Sequence, residues 1–223
     1  MKERQYNQRL TPKKAAEGIK TILNNARSLL SEAQLLFDNF KYARATALAI
    51  LAIEETGKVS IIRSILVNDN QKELNKEWKR FRSHYEKNWG LAVSDYVVQN
   101  KNNIEDFRPI FDSNDHGQVF DQLKQLAIYT DLFKNDNWSS PDKVITIEIA
   151  ISVLTTARTF VGKGEQAMTT EKELELWVKY LKPVWKKDIL DMKQALINCY
   201  NEAEEVGVLS GSTNTKDMID FLL

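Results

Sequence analysis

Apolar residues recur every three to four positions along most of the chain, which is the spacing of one face of an α-helix. The first such segment starts at Thr11 and Pro12, a capping hydroxyl followed by proline at the first helical position, and runs to about Phe40. A short break separates it from residues 44–66, so the two helices are predicted to form an antiparallel hairpin. The pattern predicts further helices over residues 72–98, 118–134, 142–163 and 170–206. The chain is therefore predicted to be all-α.

Turn-forming residues interrupt this helical pattern. Polar loops are predicted at residues 68–70, 100–103, 113–117 and 135–141. Pro183 is expected to kink or split the last helical region, because proline removes a backbone hydrogen bond and clashes with the preceding turn. The Ile-Tyr-Thr run at residues 128–130 is a place where the chain could be locally extended.

The composition favours a single helical domain over several domains joined by linkers. Only 8 Gly and 4 Pro occur in 223 residues, and no Pro/Gly/Ser-rich linker divides the chain. We expect a single helical domain over residues 1–207, followed by a flexible link and a short amphipathic segment over residues 208–223.

The net charge, the single cysteine and the hydropathy of the sequence limit the class of protein to which this chain can belong. The formal net charge is zero, so contact with nucleic acid would need a local basic patch. The single Cys199 excludes an internal disulfide and fits a reducing compartment. The first ten residues lack the apolar stretch of a secretory signal, and no run of 18 uncharged apolar residues predicts a membrane span. We expect a cytoplasmic protein with no membrane partner.

The segment over residues 44–66 combines an apolar helix with three charges near its centre. Between residues 45 and 53 a single threonine is the only polar side chain, which predicts a helix covered on nearly all sides. Glu54, Glu55 and Lys58 nevertheless fall on the face that carries apolar neighbours. One interpretation is a self-neutralising pair of Glu54 and Lys58, four positions apart, where the helix leaves the core. The other is that a glutamate on this face meets a partner on another helix or in a site.

The helix predicted over residues 72–98 carries two stripes. Aromatic residues at positions 78, 81, 85 and 89 form one face, which predicts a core or an interface. Beside it, Arg80, His84 and Lys87 stack one turn apart as a basic stripe. A histidine flanked by fixed cations suits an anionic ligand, and it titrates close enough to neutral pH to transfer a proton. Simple solvation of a lone histidine is the alternative, and His116, in a predicted loop, is expected at the surface.

The sequence lacks the residues that metal-binding and nucleotide-binding sites need. Two His and one Cys do not make a zinc cluster, and neither His has a Glu three positions earlier, as a carboxylate di-iron bundle requires. The sequence has no P-loop and no dinucleotide fingerprint. We therefore expect no metal and no cofactor.

The segment ALAILAIEETGKVSII, followed after a turn by RFRSHYEK, resembles the AbiV family of bacterial abortive-infection proteins. In that family a helix with an E-E-x-G-K element precedes a helix with a His and a Lys three residues later. The stretch YTDLFKNDNWSSPDKV is also similar to that family, and together the matches span about residues 42–160. The resemblance implies the HEPN superfamily, whose members are helical bundles, commonly homodimers, and in many cases metal-independent ribonucleases of toxin and phage-defence systems. The implied fold is a HEPN-like helical bundle with additional C-terminal helices.

The resemblance also implies which residues form the catalytic site. Glu54, Glu55 and Lys58 match the E-E-x-G-K element, and His84 matches the histidine of the HEPN motif. His84 would act as general acid or base, and Glu54 or Glu55 would fix its tautomer. The three helix residues are therefore expected to orient His84 and the basic stripe from a facing helix.

The residue that would bind phosphate is not fixed by the motif, which is Arg, four to six residues, then His. Arg80 is separated from His84 by three residues, Arg82 by one and Lys79 by four. The phosphate-binding cation is thus left open between Lys79, Arg80 and Lys87, with Arg82 as a further candidate.

Two functions follow from these residues. The first is an anti-phage abortive-infection effector, a HEPN-type metal-independent ribonuclease or a translation-blocking toxin, that is activated on infection. Its expected partners are RNA, a phage-encoded activator protein and a second copy, in a homodimer that places both His84 side chains near a shared cleft. The alternative is a catalytically inactive HEPN binding module that acts through a protein or nucleotide partner.

Overall fold

The computed structural model describes residues 6–83, 116–132, 138–164 and 167–210. Within these residues the chain is helical apart from one two-stranded sheet, which confirms the predicted all-α class. The helices are α1 (Pro12–Asp38), α2 (Tyr42–Val67), α3 (Gln71–Arg82), α4 (His116–Ile128), α5 (Pro141–Val144), α6 (Ile147–Gly164), α7 (Glu171–Leu181) and α8 (Ile189–Glu205). The strands are β1 (Asp131–Leu132) and β2 (Trp138–Ser139), which pair antiparallel. No helix in these ranges is long and apolar enough to cross a membrane.

The start of α1 and the split of the C-terminal helical region confirm two predictions from the sequence. The Thr11 hydroxyl accepts a hydrogen bond from the Lys14 backbone N–H at 3.2 Å, so it caps the helix as expected. The region around Pro183 is not helical, since α7 ends before it and α8 begins after it. Asp188 caps α8 by accepting hydrogen bonds from two backbone N–H groups of the first turn.

Two predicted helices are interrupted. The helix predicted over residues 118–134 begins at His116, inside the predicted loop, and ends at Ile128, after which β1 forms. The helix predicted over residues 142–163 is broken at Ile145, whose backbone is extended. Residues 144–147 are all β-branched, and such residues adopt extended backbone readily. Thr146 then opens α6, because its hydroxyl accepts a hydrogen bond from the backbone N–H of Ile149.

The chain divides into two compact units, which are described separately. Unit one consists of residues 1–21, 58–82 and 165–223, and it contains α3, α7 and α8. Unit two consists of residues 22–57 and 83–164, and it contains α4, α5, α6 and the strands. Helices α1 and α2 each contribute residues to both units. The single domain expected over residues 1–207 stays a prediction.

The core of unit two is built on the small residues of α2. One cluster joins α1, α2, α4 and α6, and its buried members are Ala33, Ala49, Ile50, Ile53, Phe120, Val153, Leu154 and Ala157. Earlier on α2, Ala43 and Ala47 pack with Ala127 of α4 and with Ile145. The rings of Phe37 and Tyr42 lie 5.2 Å apart, whereas Ala26 packs near Ala52. This reversed order confirms the antiparallel hairpin of α1 and α2 within this unit.

The core of unit one contains the start of the predicted aromatic stripe. Trp78 is buried with Ile61, Ile65 and Leu74, and Phe81 packs against the same cluster. These two positions are therefore core, as predicted, whereas positions 85 and 89 lie outside the described residues. On α8 the Cys199 thiol is buried, and burial raises its pKa to about 12, so it is not a reactive nucleophile.

Candidate functional site

Glu54 lies inside unit two rather than on its surface. The helix that carries it is lined by alanines and isoleucines that leave little room for solvent, and Glu54 itself is 3% exposed. Taking a carboxylate out of water costs several kcal/mol unless a partner compensates it. The sequence therefore predicted correctly that this charge needs an explanation beyond a solvated helix face.

One partner of Glu54 comes from another helix. Lys124 of α4 donates from Nζ to Glu54 Oε1 at 2.5 Å, and Lys124 is 6% exposed. The same ammonium lies 3.1 Å from Oδ1 of Asp121, one turn earlier on α4. Burial alone would lower the pKa of Lys124, but its hydrogen bonds and charge interactions with Glu54 and Asp121 hold that pKa above its ordinary value.

The packing of α4 brings Lys124 to Glu54. Phe120, Lys124 and Ala127 are spaced i, i+4, i+7 and so share one face of α4. Phe120 and Ala127 are buried in the clusters that include α2. The guanidinium of Arg44, near the start of α2, also donates to the carbonyl of Ile128 at the end of α4, at 2.9 Å. Lys124 therefore lies between two buried apolar residues on the face of α4 that packs against α2.

The remaining residues of the E-E-x-G-K element are half-buried. Glu55 is partly covered in unit two, and Lys58 is partly covered in unit one. The Lys58 ammonium lies 5.3 Å from the centroid of the Phe81 ring on α3, a cation–π contact. The contact therefore places the Lys58 ammonium beside α3, the helix that carries Lys79, Arg80 and Arg82.

Helix α3 ends in the cations that the sequence singled out, and Arg80 among them is held by a buried carboxylate. The Arg80 guanidinium donates to Glu77 Oε2 at 2.7 Å, and Glu77 is 1% exposed. The other oxygen of Glu77 accepts from Lys186 at 3.1 Å, in the connection between α7 and α8. Arg80 is therefore positioned by a carboxylate shared between two cations.

Arg82 and Lys79 have different surroundings. The Arg82 guanidinium stacks 5.4 Å from the Trp78 ring centroid and donates to the carbonyls of Trp78 and Tyr6. These contacts fasten the segment before α1 to α3. Lys79 is exposed on the last turn of the same helix.

His84 and Lys87 lie outside the described residues, as does most of the predicted helix over 72–98. The expected contacts of Glu54, Glu55 or Lys58 with His84, and of Lys87 beside it, stay predictions. Within the described ranges, no group of three or more His, Cys, Asp and Glu side chains is arranged to hold a metal ion.

Reasoning from the sequence missed Lys124, Glu77 and Lys186. Lys124 is 70 positions from Glu54, and nothing in a local pattern connects the two residues. Glu77 could have been recognised, because it lies between buried aromatic and aliphatic positions of α3 and one turn before Arg80. Lys186 follows the predicted break at Pro183, where the path of the chain cannot be read from periodicity.

Comparison with known proteins gives one match. The family model HEPN_AbiV, described as AbiV, matches residues 14–162, which is more than half of the chain. The match includes the E-E-x-G-K element, the basic stripe and most of the hairpin and of α6. No curated protein and no solved structure matched.

Proposed function

The chain belongs to the AbiV family of HEPN proteins, and from that premise we propose that it is an abortive-infection effector that cleaves RNA without a metal ion. The observation that carries the proposal is the cluster of three cations, Lys79, Arg80 and Arg82, in the last turn of α3. His84 follows two residues later, so a proton-transfer group and phosphate-binding groups adjoin in sequence.

The chemistry that suits these residues is attack of a ribose 2′-hydroxyl on the adjacent phosphate. His84 would transfer a proton, which typically accelerates such a reaction by about 10²–10⁴-fold. Arg80 or Lys87 would stabilise the charge that develops on the phosphoryl oxygens. Guanidinium has five N–H donors, so the bond from Arg80 to Glu77 does not by itself prevent phosphate binding. The products would be a 2′,3′-cyclic phosphate and a 5′-hydroxyl.

The carboxylates would act through His84. Glu54 or Glu55 would accept a hydrogen bond from one ring nitrogen and so fix the tautomer of the imidazole. An ionised carboxylate has two oxygens, and Lys124 bonds Oε1 of Glu54. A carboxylate has about four acceptor positions, so the bond from Lys124 does not by itself prevent Glu54 from accepting another hydrogen bond.

The test is cleavage of total cellular RNA by the purified full chain, with the phage-encoded activator supplied if one is required. We expect activity that survives EDTA, fails on a 2′-deoxy substrate and falls at least 100-fold in His84→Ala (~10²-fold for loss of a general acid or base). His116→Ala is the matched control, because the chain has two histidines, and it should retain full activity. Cleavage that requires magnesium, or that proceeds equally on DNA, would contradict the mechanism.

We also propose that the protein acts in the cytoplasm as a homodimer whose third helices lie close enough to place both His84 residues near a shared cleft. A two-fold dimer is the commonest arrangement of helical homo-oligomers and gives each site the same surroundings. Light scattering at micromolar concentration should then give twice the 25.7 kDa of the chain. A mass of one chain would contradict this arrangement.

A second candidate function is a catalytically inactive HEPN module that blocks infection by binding a protein or nucleotide. The arrangement of the two arginines favours it, because Arg80 holds buried Glu77 and Arg82 fastens the segment before α1. Cations with such structural roles need not bind RNA. Phage protection that is equal in the wild type and His84→Ala, with no RNA cleaved in either, would support this function over the ribonuclease.

A further inference from the structure

Lys124 occupies a position where an apolar side chain would normally lie. Its neighbours on the same face of α4, Phe120 and Ala127, are buried against α2. The ammonium is nonetheless directed to Glu54, with which it forms a pair in which both residues are more than nine-tenths buried.

A buried ion pair such as that of Lys124 and Glu54 is not expected to contribute much to the stability of the fold. Replacing a buried ion pair by apolar groups of similar volume is often neutral or stabilising, because both charges must be desolvated to form it. A charge pair in this position is therefore better explained by a role for the carboxylate than by stability. Glu54 is also the first residue of the E-E-x-G-K element, which connects that role to the family to which the chain belongs.

We propose that Lys124 is a positioning residue, holding the carboxylate of Glu54 in the orientation in which the E-E-x-G-K element acts. This inference rests on the proposed function. Lys124 contributes through Glu54 and does not itself touch RNA. Asp121, half-buried on the preceding turn, lies 3.1 Å from the same ammonium and is its second carboxylate neighbour.

The experiment compares the full chain as wild type, Lys124→Met, Lys124→Arg, Glu54→Gln and the double variant Glu54→Gln/Lys124→Met. Each is assayed for thermal unfolding and for protection of cells against phage. The matched control is Lys179→Met, which removes an exposed ion pair between α7 and α8. His84→Ala is assayed beside them.

Lys124→Met leaves a buried carboxylate without this cation, so we expect its Tm to fall by about 6–20 °C. The double variant removes both charges, and its Tm should return to within about 4 °C of the wild type. It should nevertheless protect as poorly as Glu54→Gln alone, at least tenfold below the wild type. Lys124→Arg should retain more protection than Lys124→Met, because Arg preserves the charge, and the Lys179→Met control should protect fully.

Full protection by the folded double variant would overturn the inference, because the pair would then be structural only. A greater loss of protection in the double variant than in Glu54→Gln would also overturn it, because Lys124 would then act independently of Glu54. The proposed function fails separately, if His84→Ala protects as well as the wild type. Loss of protection in His84→Ala with full protection by the double variant would keep the ribonuclease and reject the role of Lys124.

Discussion

Two of the buried glutamates, Glu54 in unit two and Glu173 in unit one, are satisfied by different means. Glu54 in unit two is compensated by a buried lysine from a different helix. Glu173 in unit one, with none of its surface exposed, accepts its hydrogen bonds from neutral donors instead. These donors are the backbone N–H groups of Met168, Thr169, Thr170 and Ser210 and the hydroxyls of Thr170 and Ser210.

Helix capping explains the position of Glu173. Thr170 and Glu173 form a capping box at the start of α7, so the carboxylate satisfies backbone N–H groups that the helix leaves unpaired. The same carboxylate bonds Ser210 and thereby fastens the chain after α8. Burial alone would raise the pKa of Glu173, but the hydrogen bonds from Ser210 and Thr170 lower it below its ordinary value.

No helix end explains the position of Glu54. It lies in the interior of α2, where every backbone group can bond within the helix, and its carboxylate satisfies none of the needs that Glu173 meets. The difference teaches that burial of a carboxylate is not by itself a functional signal. A buried charge becomes a candidate for function when it pairs with no backbone group that the surrounding secondary structure leaves unsatisfied.

The largest effect on stability is expected from Glu173→Ala. The substitution leaves several buried backbone N–H groups without an acceptor, which should cost about 3–5 kcal/mol in the free energy of unfolding. Urea unfolding followed by circular dichroism measures it. Glu175→Ala, at an exposed position of the same helix, is the matched control and should cost less than about 0.5 kcal/mol. An equal cost for both would show that the capping box contributes little.

For the glutamates of α2 we expect a large effect on phage protection and a smaller effect on stability. At least one of Glu54→Gln and Glu55→Gln should abolish phage protection while the protein stays folded. For Glu54→Gln we expect a loss of about 1–3 kcal/mol, because Lys124 retains Asp121 as a partner. Plating efficiency and circular dichroism of each variant provide the measurement. Full protection by both variants would make the E-E-x-G-K element structural.

The two regions should also respond to opposite extremes of pH. The folded-state pKa of Glu173 is lowered, so its contribution to stability is complete above the ordinary glutamate pKa and is lost as the pH falls through the folded value. The folded-state pKa of Lys124 is raised, so its contribution is complete below the ordinary lysine pKa and is lost as the pH rises through the folded value. Unfolding curves should show the difference between wild type and Glu173→Gln shrinking in acid, and that between wild type and Lys124→Met shrinking in alkali. Differences that stay constant with pH would contradict both assignments.

The smallest effect is expected at the end of α8, close to the segment that Glu173 fastens. Gly207 has φ of 66°, in the left-handed region, and a Cβ added there would meet no atom within 4 Å. Gly207→Ala should therefore cost about 1 kcal/mol through backbone conformation alone and leave protection unchanged. A shift in Tm of about 2–4 °C is the expected readout. No shift would mean that the helix end rearranges at no cost.

The helix boundaries predicted best from the sequence were those that one or two neighbouring residues determine. Thr11 and Pro12 placed the start of α1, and Pro183 placed the break between α7 and α8. The break at Ile145 was harder to predict, because β-branched residues at helical spacing are compatible with both helix and extended chain. Tertiary packing decided there, since Ile145 is buried against Ala43 and Ala47.

The candidate site was predictable only where a single helix carries the signal. An apolar helix interrupted by charges showed that Glu54 needs a partner, but the choice between Lys58 and a distant residue could not be made from spacing. Lys124 is a distant partner of Glu54, through a contact that exists only once α4 packs on α2. The basic stripe remains a prediction at His84 and Lys87.

The measurement that tests the account most directly is the chemistry of RNA ends in phage-infected cells that produce either the wild type or His84→Ala. Attack by the 2′-hydroxyl leaves 2′,3′-cyclic phosphates, so sequencing that captures such ends reports this reaction specifically. We predict that these ends accumulate after infection in cells with the wild type and stay at the background level with His84→Ala. Infection blocked by the wild type with no new cyclic phosphate ends, or with equal ends in both strains, would contradict the account.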